Sequence, residues 1–566
     1  MSATHTSWRH TTAVLSAALL CTAATGVPPA TAPPPSIVEL QPLRQVERTE
    51  LRDAMGREGS LILVSLQPAV NAWVLVALQS PGDATPRWYH LENPQPASQH
   101  IALDATQPGR IILSSDAGTT RCTLWPGKPL EQARRVPLAY APLCEGKLAL
   151  RNAVPGNRTT LEATTEFLRD HVWRGEQIVG FVRREFFRDA YVEHPTPGSA
   201  VSGAATGSAP GGPAAAALRE PQASAVVPEG LGIDIGLQGG EAALGRWYAA
   251  AGLPGVYVSV VQPDALVAAH GLDEVEGPAL DYLVAFDLAR FDLGFALGTE
   301  HPRLGWSARV PEDRRESGWP GPDGIADAEP LARTGMVNPA LQAHVVATFT
   351  GGFKREHGAF RHGALANGYH GSHYGFIEQG VVFSTLQPGL STLFVLDDGT
   401  VDLRTWRRED DKLLPHVRHA RQNGVALVER GRDGAPAAGA LVDQWGAGNW
   451  SGSTDERLRS LRAGACLVEQ GPRRFLVYGY FSTATPRAMA QVFLAYGCRD
   501  AMHLDMNALE HTYLALYPRR GAHIGVEHLV QGMSVLDKSA RGTLLPRFLG
   551  FADDRDFFYL LAKESR

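Results

Sequence analysis

Short apolar, β-branched and aromatic runs recur through most of this chain, and turn-forming residues separate them. Beyond residue 374, paired runs flank Gln379-Gly380, Asp398-Gly399 and Gln470-Gly471-Pro472. Asp-Gly between two such runs is one of the strongest short signals of a β-hairpin, because Gly readily adopts the positive φ that a tight hairpin turn requires. The pattern therefore predicts a chain built largely from hairpin-connected strands.

One helix is predicted within this series of strands, over residues 485–497. Thr485 is a suitable N-cap, Pro486 suits the first helical position, and Gly497 suits the end of the helix. The helix leads directly into a further apolar run. The predicted fold class is therefore α+β, with a mixed β-sheet.

Shifts in composition divide the rest of the chain into regions. Residues 36–152 hold short β runs and predict a small all-β domain like a β-sandwich. Residues 153–192 predict a helical connector, whereas residues 193–229 are rich in Gly, Ala, Pro and Ser and predict a disordered linker. Residues 230–566 form the predicted α+β domain, and helical spacing within 240–252 predicts a helix there.

The first 35 residues predict a secretory signal peptide followed by a Pro-rich spacer. Arg9 and His10 precede an apolar run that is too short to span a membrane by itself, and small residues follow it. The mature protein is therefore expected to be exported, to the periplasm or the extracellular space, without a stable transmembrane segment. A lipoprotein anchored at Cys21 is the alternative, but the bulky Leu20 before it argues against lipid attachment.

Four cysteines remain after removal of the signal peptide: Cys122, Cys144, Cys466 and Cys498. An oxidising compartment favours disulfides, and four cysteines allow three pairings that the sequence does not distinguish. The pairings that are local in sequence would each close a loop inside one predicted domain. Buried free thiols are the alternative.

The charge balance bears on the class of partner. Lys and Arg number 53 against 59 Asp and Glu, which gives a formal net charge of −6. Such a balance does not point to nucleic acid, and a neutral or sugar-like substrate fits it better.

Residues 501–516 concentrate groups that can carry chemistry. An apolar run is followed by His503, Asp505, Asn507, Glu510 and His511. In a regular strand His503 and Asp505 share a face, because side chains alternate with a period of two. A carboxylate beside an imidazole is a candidate for proton transfer. The alternative is a simple turn, in which the polar side chains bond their own backbone.

A second polar strand end lies upstream, where an apolar run ends in Thr350-Gly351-Gly352. Adjacent glycines allow the backbone to approach a ligand closely. The His-rich segment that follows contains His370 and His373, and it is interpreted either as a solvated loop or as a metal site.

Five segments follow one another in a characteristic order: ATFTGGF (347–353), LFVLDDGTV (393–401), NGVALVERG (423–431), VYGYF (477–481) and LAYGCRDAMHLD (494–505). On these segments, the region from about residue 255 to residue 561 resembles the phosphodiester glycosidase family, which is related to the lysosomal enzyme that removes N-acetylglucosamine from a phosphodiester on mannose. The family usually has Asn at the position of Thr350, and a Gly-rich tract where this chain has residues 506–511.

The resemblance implies a phosphodiester-glycosidase-like domain that hydrolyses a glycosidic bond by carboxylate chemistry, in a sugar phosphodiester or in an envelope or extracellular glycan. Glycoside hydrolysis uses two carboxyl groups, and the expected catalytic residues are Asp505, Glu510 and His503. The expected substrate-binding residues are Thr350, Gly351, Gly352, Asn507, His511 and His373. The expected partner is a carbohydrate or sugar phosphate, with no cofactor and no metal, and the oligomeric state is left open.

The sequence leaves two alternatives to this hydrolase. One is a catalytically inactive glycan-binding or envelope scaffolding protein on the same fold. The other is a metal-dependent hydrolase that uses the His-rich segment together with Asp505.

Overall fold

A computed structural model of the protein describes residues 36–173, 175, 178–179, 189–197, 209–216, 218–219, 225–237, 240–267, 272–306, 312–315, 317–354, 375–442, 459–521 and 523–563. The predicted signal peptide and the His-rich segment with His370 and His373 lie outside these residues. The described residues belong to one compact unit, Pro35–Arg566.

The N-terminal region contains two sheets that face one core. Its elements are β1 (Gln45–Arg52), β2 (Glu58–Ser65), β3 (Trp73–Gln79), β4 (Arg87–Glu92), β5 (His100–Leu103), β6 (Arg110–Ser115), β7 (Gly118–Thr123), α1 (Pro129–Arg135), β8 (Tyr140–Leu143), β9 (Leu148–Arg151) and α2 (Thr160–His171). The strand orders are β1-β2-β3-β4-β9-β8 and β5-β6-β7. Leu63, Val76 and Leu113 lie in the buried cluster between the two sheets.

The remaining elements are mostly strands. They are β10 (Thr196–Pro197), β11 (Ala225–Val227), β12 (Ala242–Ala243), β13 (Trp247–Ala249), β14 (Val256–Val261), α3 (Pro263–Leu266), β15 (Asp281–Asp287), β16 (Phe291–Ala296), β17 (Val345–Thr350), β18 (Phe376–Glu378), β19 (Val381–Ser384), β20 (Ser391–Leu396), β21 (Val401–Thr405), β22 (Val417–Gln422), β23 (Ala426–Arg430), β24 (Pro436–Ala438), β25 (Ser460–Gln470), β26 (Arg473–Ala484), α4 (Pro486–Ala495), β27 (Cys498–Met506), β28 (Leu514–Leu516), β29 (Arg519–Arg520), β30 (His523–Ile524), β31 (Glu527–His528), β32 (Lys538–Ala540), β33 (Thr543–Leu545) and β34 (Phe557–Ala562). Among the described residues, the α+β fold is therefore rich in sheet and has few helices.

Three larger sheets organise this part of the chain. Their strand orders are β13-β14-β15-β26-β25-β27-β23-β24, β16-β34-β17-β28-β31 and β19-β18-β22-β20-β21. β14 and β15 are buried along their whole lengths, as their nearly continuous apolar sequences require. β27 and β34 belong to different sheets, and the segments at their ends build the site described below.

The elements with strong local signals are confirmed. Hairpin turns lie at Gln379-Gly380, at Asp398-Gly399 and at Gly471, and Gln379 and Gly380 both have positive φ. α4 begins at Pro486, and the side chain of Thr485 caps it by accepting a hydrogen bond from the N–H of Ala488.

Two stretches differ from the sequence-based predictions. Residues 240–252 do not form the predicted helix, since they contribute β12 and β13. The stretch 193–229, for which the sequence predicts disorder, contributes β10 and β11 in its described part.

Both disulfides join cysteines that are local in sequence, Cys122 with Cys144 and Cys466 with Cys498. The second disulfide links β25 to β27. Within the described ranges, no helix has the length and apolar character that a membrane span needs.

Candidate active site

Asp505 lies near the end of β27, at a point where the strand carries one extra residue. β25 pairs with β27 through Arg462–Met506 and Gly464–His503, so that two steps on β25 face three steps on β27. Such a bulge re-aims side chains and interrupts their alternation.

The bulge gives His503 and Asp505 different surroundings. Nη1 of Arg462 lies 3.3 Å from Nε2 of His503, and the ring of Phe353 packs edge-on against the imidazole. Asp505 instead accepts a hydrogen bond from Arg555. The expected pairing of His503 with Asp505 depended on a regular strand, and β27 is not regular at this point.

The carboxyl group of Asp505 is buried, and two hydrogen bonds partly compensate for its loss of contact with water. The backbone N–H of Met506 donates to Oδ1 at 2.8 Å, and Arg555 donates to Oδ2. Burial raises the pKa of Asp505 to about 6; Arg555 opposes this shift, and the charge of Asp556 adds to it. A carboxyl group with this pKa can exchange a proton near neutral pH, which suits acid–base catalysis.

Arg555 is the centre of the hydrogen-bond network around Asp505. Its guanidinium also donates to Glu162 at 2.5 Å and to Nε2 of His511 at 2.7 Å. Nδ1 of His511 lies 2.7 Å from the carbonyl oxygen of Met506. Because the carbonyl can only accept and the guanidinium can only donate, His511 is neutral and carries its proton on Nδ1. Burial and Arg555 accordingly hold the pKa of His511 well below its ordinary value.

Helix α2 brings two carboxylates from the N-terminal region into this network. Thr159 caps the helix by accepting a hydrogen bond from the N–H of Glu162 at 3.1 Å. Glu162 lies 2.6 Å from Nζ of Lys354, which also pairs with Glu166. Although burial opposes the shift, Arg555 and Lys354 hold the pKa of Glu162 well below its ordinary value. Both cations therefore already have carboxylate partners.

A second buried carboxylate, Asp556, has a pKa that is shifted in the direction opposite to that of Asp505. Nε of Arg421 donates to its Oδ2 at 2.8 Å, and Nδ1 of His301 lies 3.0 Å from its Oδ1. Although burial opposes the shift, Arg421 and His301 hold the pKa of Asp556 well below its ordinary value. Asp505 and Asp556 are thus two interacting carboxyl groups whose pKa values are displaced in opposite directions. Such a pair separates the acid role from the anion role.

The Gly351-Gly352 turn packs directly against the pair formed by Asp556 and Arg421. A Cβ on Gly351 would lie 2.6 Å from Oδ2 of Asp556, and one on Gly352 would lie 2.8 Å from Cζ of Arg421. The N–H of Gly351 donates to the carbonyl oxygen of Asp556 at 2.9 Å. Glycine is therefore required here because the turn supports the ion pair at close range.

Glu510, the second carboxylate expected from the sequence, has other partners. Its side chain accepts a hydrogen bond from the hydroxyl of Thr159 at 3.2 Å, and its carbonyl oxygen accepts one from Arg547 at 2.7 Å. Asp556 is the carboxylate whose charge raises the pKa of Asp505. Asp556 is therefore the better candidate for the second carboxyl group.

Two further expected site residues make contacts within the fold. The hydroxyl of Thr350 donates to the carbonyl oxygen of His511 at 2.7 Å. Asn507 has a φ of 85° and accepts a hydrogen bond from the hydroxyl of Ser460 at 2.8 Å. Thr350 thus lies beside the Arg555 network, Asn507 shapes the turn after β27, and His373 lies outside the described residues.

The segment just before β34 was not predicted as part of the site. Asp553, Asp554, Arg555 and Asp556 are four consecutive charged residues, and all four are buried. A signal was present, because a charged run beside an apolar strand resembles the polar stretch after β27. Glu162, Lys354, Arg421 and His301 carried no such signal, since each lies among ordinary polar residues in a segment of its own.

Among the residues that the structure describes, no group of three or more His, Cys, Asp or Glu side chains is arranged to hold a metal ion. The His-rich segment, which the metal interpretation needs, is outside that part of the chain.

No protein-family model and no curated protein matches this chain. Among solved structures, the catalytic domain of zebrafish N-acetylglucosamine-1-phosphodiester alpha-N-acetylglucosaminidase, auto-inhibited by its pro-peptide, is 10% identical, with 56% of this chain and 85% of that chain covered and a TM-score of 0.28. A hypothetical protein from Synechocystis is 9% identical, with 92% of this chain and 81% of that chain covered and a TM-score of 0.27. A Burkholderia pseudomallei protein described as a candidate exported protein is 13% identical, with 51% of this chain and 75% of that chain covered and a TM-score of 0.22. At these identities and TM-scores, the similarities carry no argument about the activity of this chain.

Proposed function

We propose that this protein is an exported hydrolase that cleaves a glycosidic bond, in a sugar phosphodiester or in an envelope or extracellular glycan. The observation that carries the proposal is the pair of buried carboxyl groups, Asp505 and Asp556, whose pKa values are displaced in opposite directions. Glycoside hydrolysis needs one carboxyl group that donates a proton to the leaving oxygen and a second group that acts as an anion or activates water. Asp505 suits the first role and Asp556 the second.

Arg555 suits the role of stabilising the charge that forms on Asp505. When Asp505 gives up its proton, the resulting carboxylate is held by Arg555 and by the N–H of Met506. Both contacts strengthen as negative charge develops, and interactions of this kind lower an activation barrier. His511 and Glu162 fix the plane of the guanidinium by accepting its other hydrogen bonds.

The two disulfides support the location outside the cytoplasm. Disulfides persist in oxidising compartments and are rare where thiols are kept reduced. We therefore expect the proposed substrate, a sugar phosphodiester or a glycan, to lie in the periplasm or outside the cell.

Hydrolysis of a panel of chromogenic glycosides and sugar 1-phosphodiesters tests the proposal. Asp505→Asn removes the proton donor, so turnover of substrates with poor leaving groups should fall at least about 10²-fold. Asp500→Asn is the matched control, because Asp500 lies on the same strand, pairs with Arg430 at 2.8 Å and also has its pKa raised by burial to about 6. Thermal melts establish that each variant is folded.

The panel gives two results that contradict the proposal. One is the absence of turnover by the folded wild-type protein on every substrate. The other is unchanged turnover by folded Asp505→Asn, which would place any hydrolysis at a different site.

A non-catalytic glycan-binding or scaffolding protein is the second candidate, and one observation favours it. Lys354 and Arg555 are already paired with carboxylates, so a phosphate group would have to compete with Glu162, Glu166 and Asp505 for them. In that case the wild-type protein binds a glycan without turnover, and Asp505→Asn keeps the affinity. Calorimetric titration with the same panel separates the two candidates.

A further inference from the structure

His301 is a buried histidine whose two ring nitrogens have different surroundings. It lies in the loop that follows β16 and is 2% exposed. Nδ1 lies 3.0 Å from Oδ1 of Asp556, whereas Nε2 has no hydrogen-bond partner within the described part of the chain. Buried polar atoms are nearly always paired, so a buried nitrogen without a partner requires an explanation, and a catalytic role is one.

Asp556 fixes the orientation of this imidazole. Arg421 donates to the other carboxylate oxygen at 2.8 Å and also to the carbonyl oxygen of Phe353 at 2.8 Å, so the carboxylate is held from two sides. A carboxylate on Nδ1 keeps the proton on that nitrogen and leaves the lone pair on Nε2. It also stabilises the imidazolium that forms when Nε2 accepts a proton.

The pair formed by His301 and Asp556 belongs to the same site as Asp505. Arg555 and Asp556 are adjacent in the chain, and their side chains hold Asp505 and His301 respectively. The charge of Asp556 also acts on Asp505. One tetrapeptide therefore anchors a carboxylic acid and an imidazole base in a single cluster.

We propose that His301 is the general base of the hydrolysis and that Asp556 is its positioning residue; this inference rests on the proposed function. Nε2 takes a proton from water while the water oxygen bonds to the anomeric carbon. The bond from that carbon to the leaving oxygen breaks, and Asp505 gives its proton to that oxygen. Solvent then removes the proton from His301 and returns one to Asp505. Because water attacks directly, the product has the inverted anomeric configuration.

Substitution of His301 and chemical rescue test this assignment. On a glycoside with an activated leaving group, His301→Ala should turn over at least about 10²-fold more slowly than the wild type. Azide, which needs no base, should restore turnover of this variant and yield a glycosyl azide of inverted configuration. A merely structural role for His301 would not produce rescue by azide.

His528→Ala is the matched control. His528 forms another His–Asp pair, with its Nε2 3.1 Å from Asp537, and neither residue belongs to the cluster around Asp505. We expect this variant to keep wild-type turnover at a temperature where its melt shows a folded protein. If His301→Ala does not fold, His301→Gln, which keeps a donor for Asp556, replaces it in the same assays.

Several outcomes overturn the inference, and they are distinguishable from failure of the proposed function. Wild-type turnover by folded His301→Ala, a loss that azide does not rescue, or a product of retained configuration each excludes His301 as the base. If Asp505→Asn loses turnover while His301→Ala keeps it, the glycosidase proposal stands and only this assignment falls. If the wild-type protein turns over no substrate, the proposed function itself fails.

Discussion

At the scale of single residues, Asp505 and Asp500 show how two buried carboxyl groups on one strand can differ in their surroundings. Both lie on β27, both pair with an arginine, and burial raises the pKa of each to about 6. Asp505 differs because its arginine, Arg555, also holds Glu162 and His511. The raised pKa does not distinguish the two residues, so the choice of Asp505 as the candidate rests on the hydrogen-bond network around it.

The raised pKa of Asp505 predicts a decline of activity with rising pH. Because the protonated form is the proposed donor, kcat/KM for a glycoside with a poor leaving group should fall about tenfold per pH unit above a pH of about 6. A glycoside whose leaving group needs no proton should lack this decline. Rate profiles for both substrates measure the difference, and an equal decline for both would assign the titration to another group.

The separation of partners along the sequence explains which site residues were predictable. Asp505 stands out because it ends an apolar strand within a short polar stretch. Its partner Arg555 is 50 positions away, and the partner of His301 is 255 positions away. No local pattern links such residues, because only the folded sheets bring their segments together.

At the scale of elements, local sequence signals predicted the hairpin turns and helix α4 correctly. Pairing between strands determined the elements that these signals did not predict. α4 follows from its cap and its stop residue, which are close in sequence. Residues 240–252 have helical spacing, yet β13 forms because it pairs with β14 at the edge of the eight-stranded sheet. The bulge in β27 is likewise set by its pairing with β25. Strand formation depends on such neighbours more than on intrinsic preference.

The turn after β17 gives a prediction at this scale. A Cβ on Gly351 would lie 2.6 Å from Oδ2 of Asp556, so Gly351→Ala should displace the carboxylate. We expect the free energy of unfolding to fall by about 1–3 kcal/mol, and turnover to fall with it. Denaturant unfolding and turnover of the same glycoside measure the two effects.

Gly305→Ala is the control for that substitution. Among the described residues, the atom closest to a Cβ on Gly305 is the carbonyl oxygen of Pro320 at 3.8 Å, an ordinary contact. This variant should change neither quantity. If Gly351→Ala behaves in the same way as Gly305→Ala, the turn can absorb a methyl group and its close packing is not required.

At the scale of the whole molecule, the N-terminal region and the site share their packing. Trp73 of β3 lies in the same buried cluster as Phe349 of β17 and Phe558 of β34. Helix α2 supplies Glu162 to Arg555. A Gly-, Ala-, Pro- and Ser-rich stretch is visible in a sequence, whereas the complementary surfaces that continue a core across it are not.

This shared packing predicts the behaviour of a truncated chain. A fragment comprising residues 230–566 loses Glu162 and also loses Trp73, whose ring packs edge-on against the buried ring of Phe383 in the longer chain. We expect it to melt at a lower temperature than residues 36–566 and to lack turnover. A fragment that melts like the longer chain and keeps its turnover would show that the N-terminal region is dispensable for the site.

The position of β34 has a consequence for how the protein is made. β34 lies between β16 and β17 in its sheet, yet it follows both in sequence, after every strand of the eight-stranded sheet. β16 and β17 leave the ribosome first. The edge of each that pairs with β34 stays unpaired until β34 has been made. Asp553–Asp556 arrive with that same strand. The residues of the proposed site therefore come together only when the last part of the chain has been made.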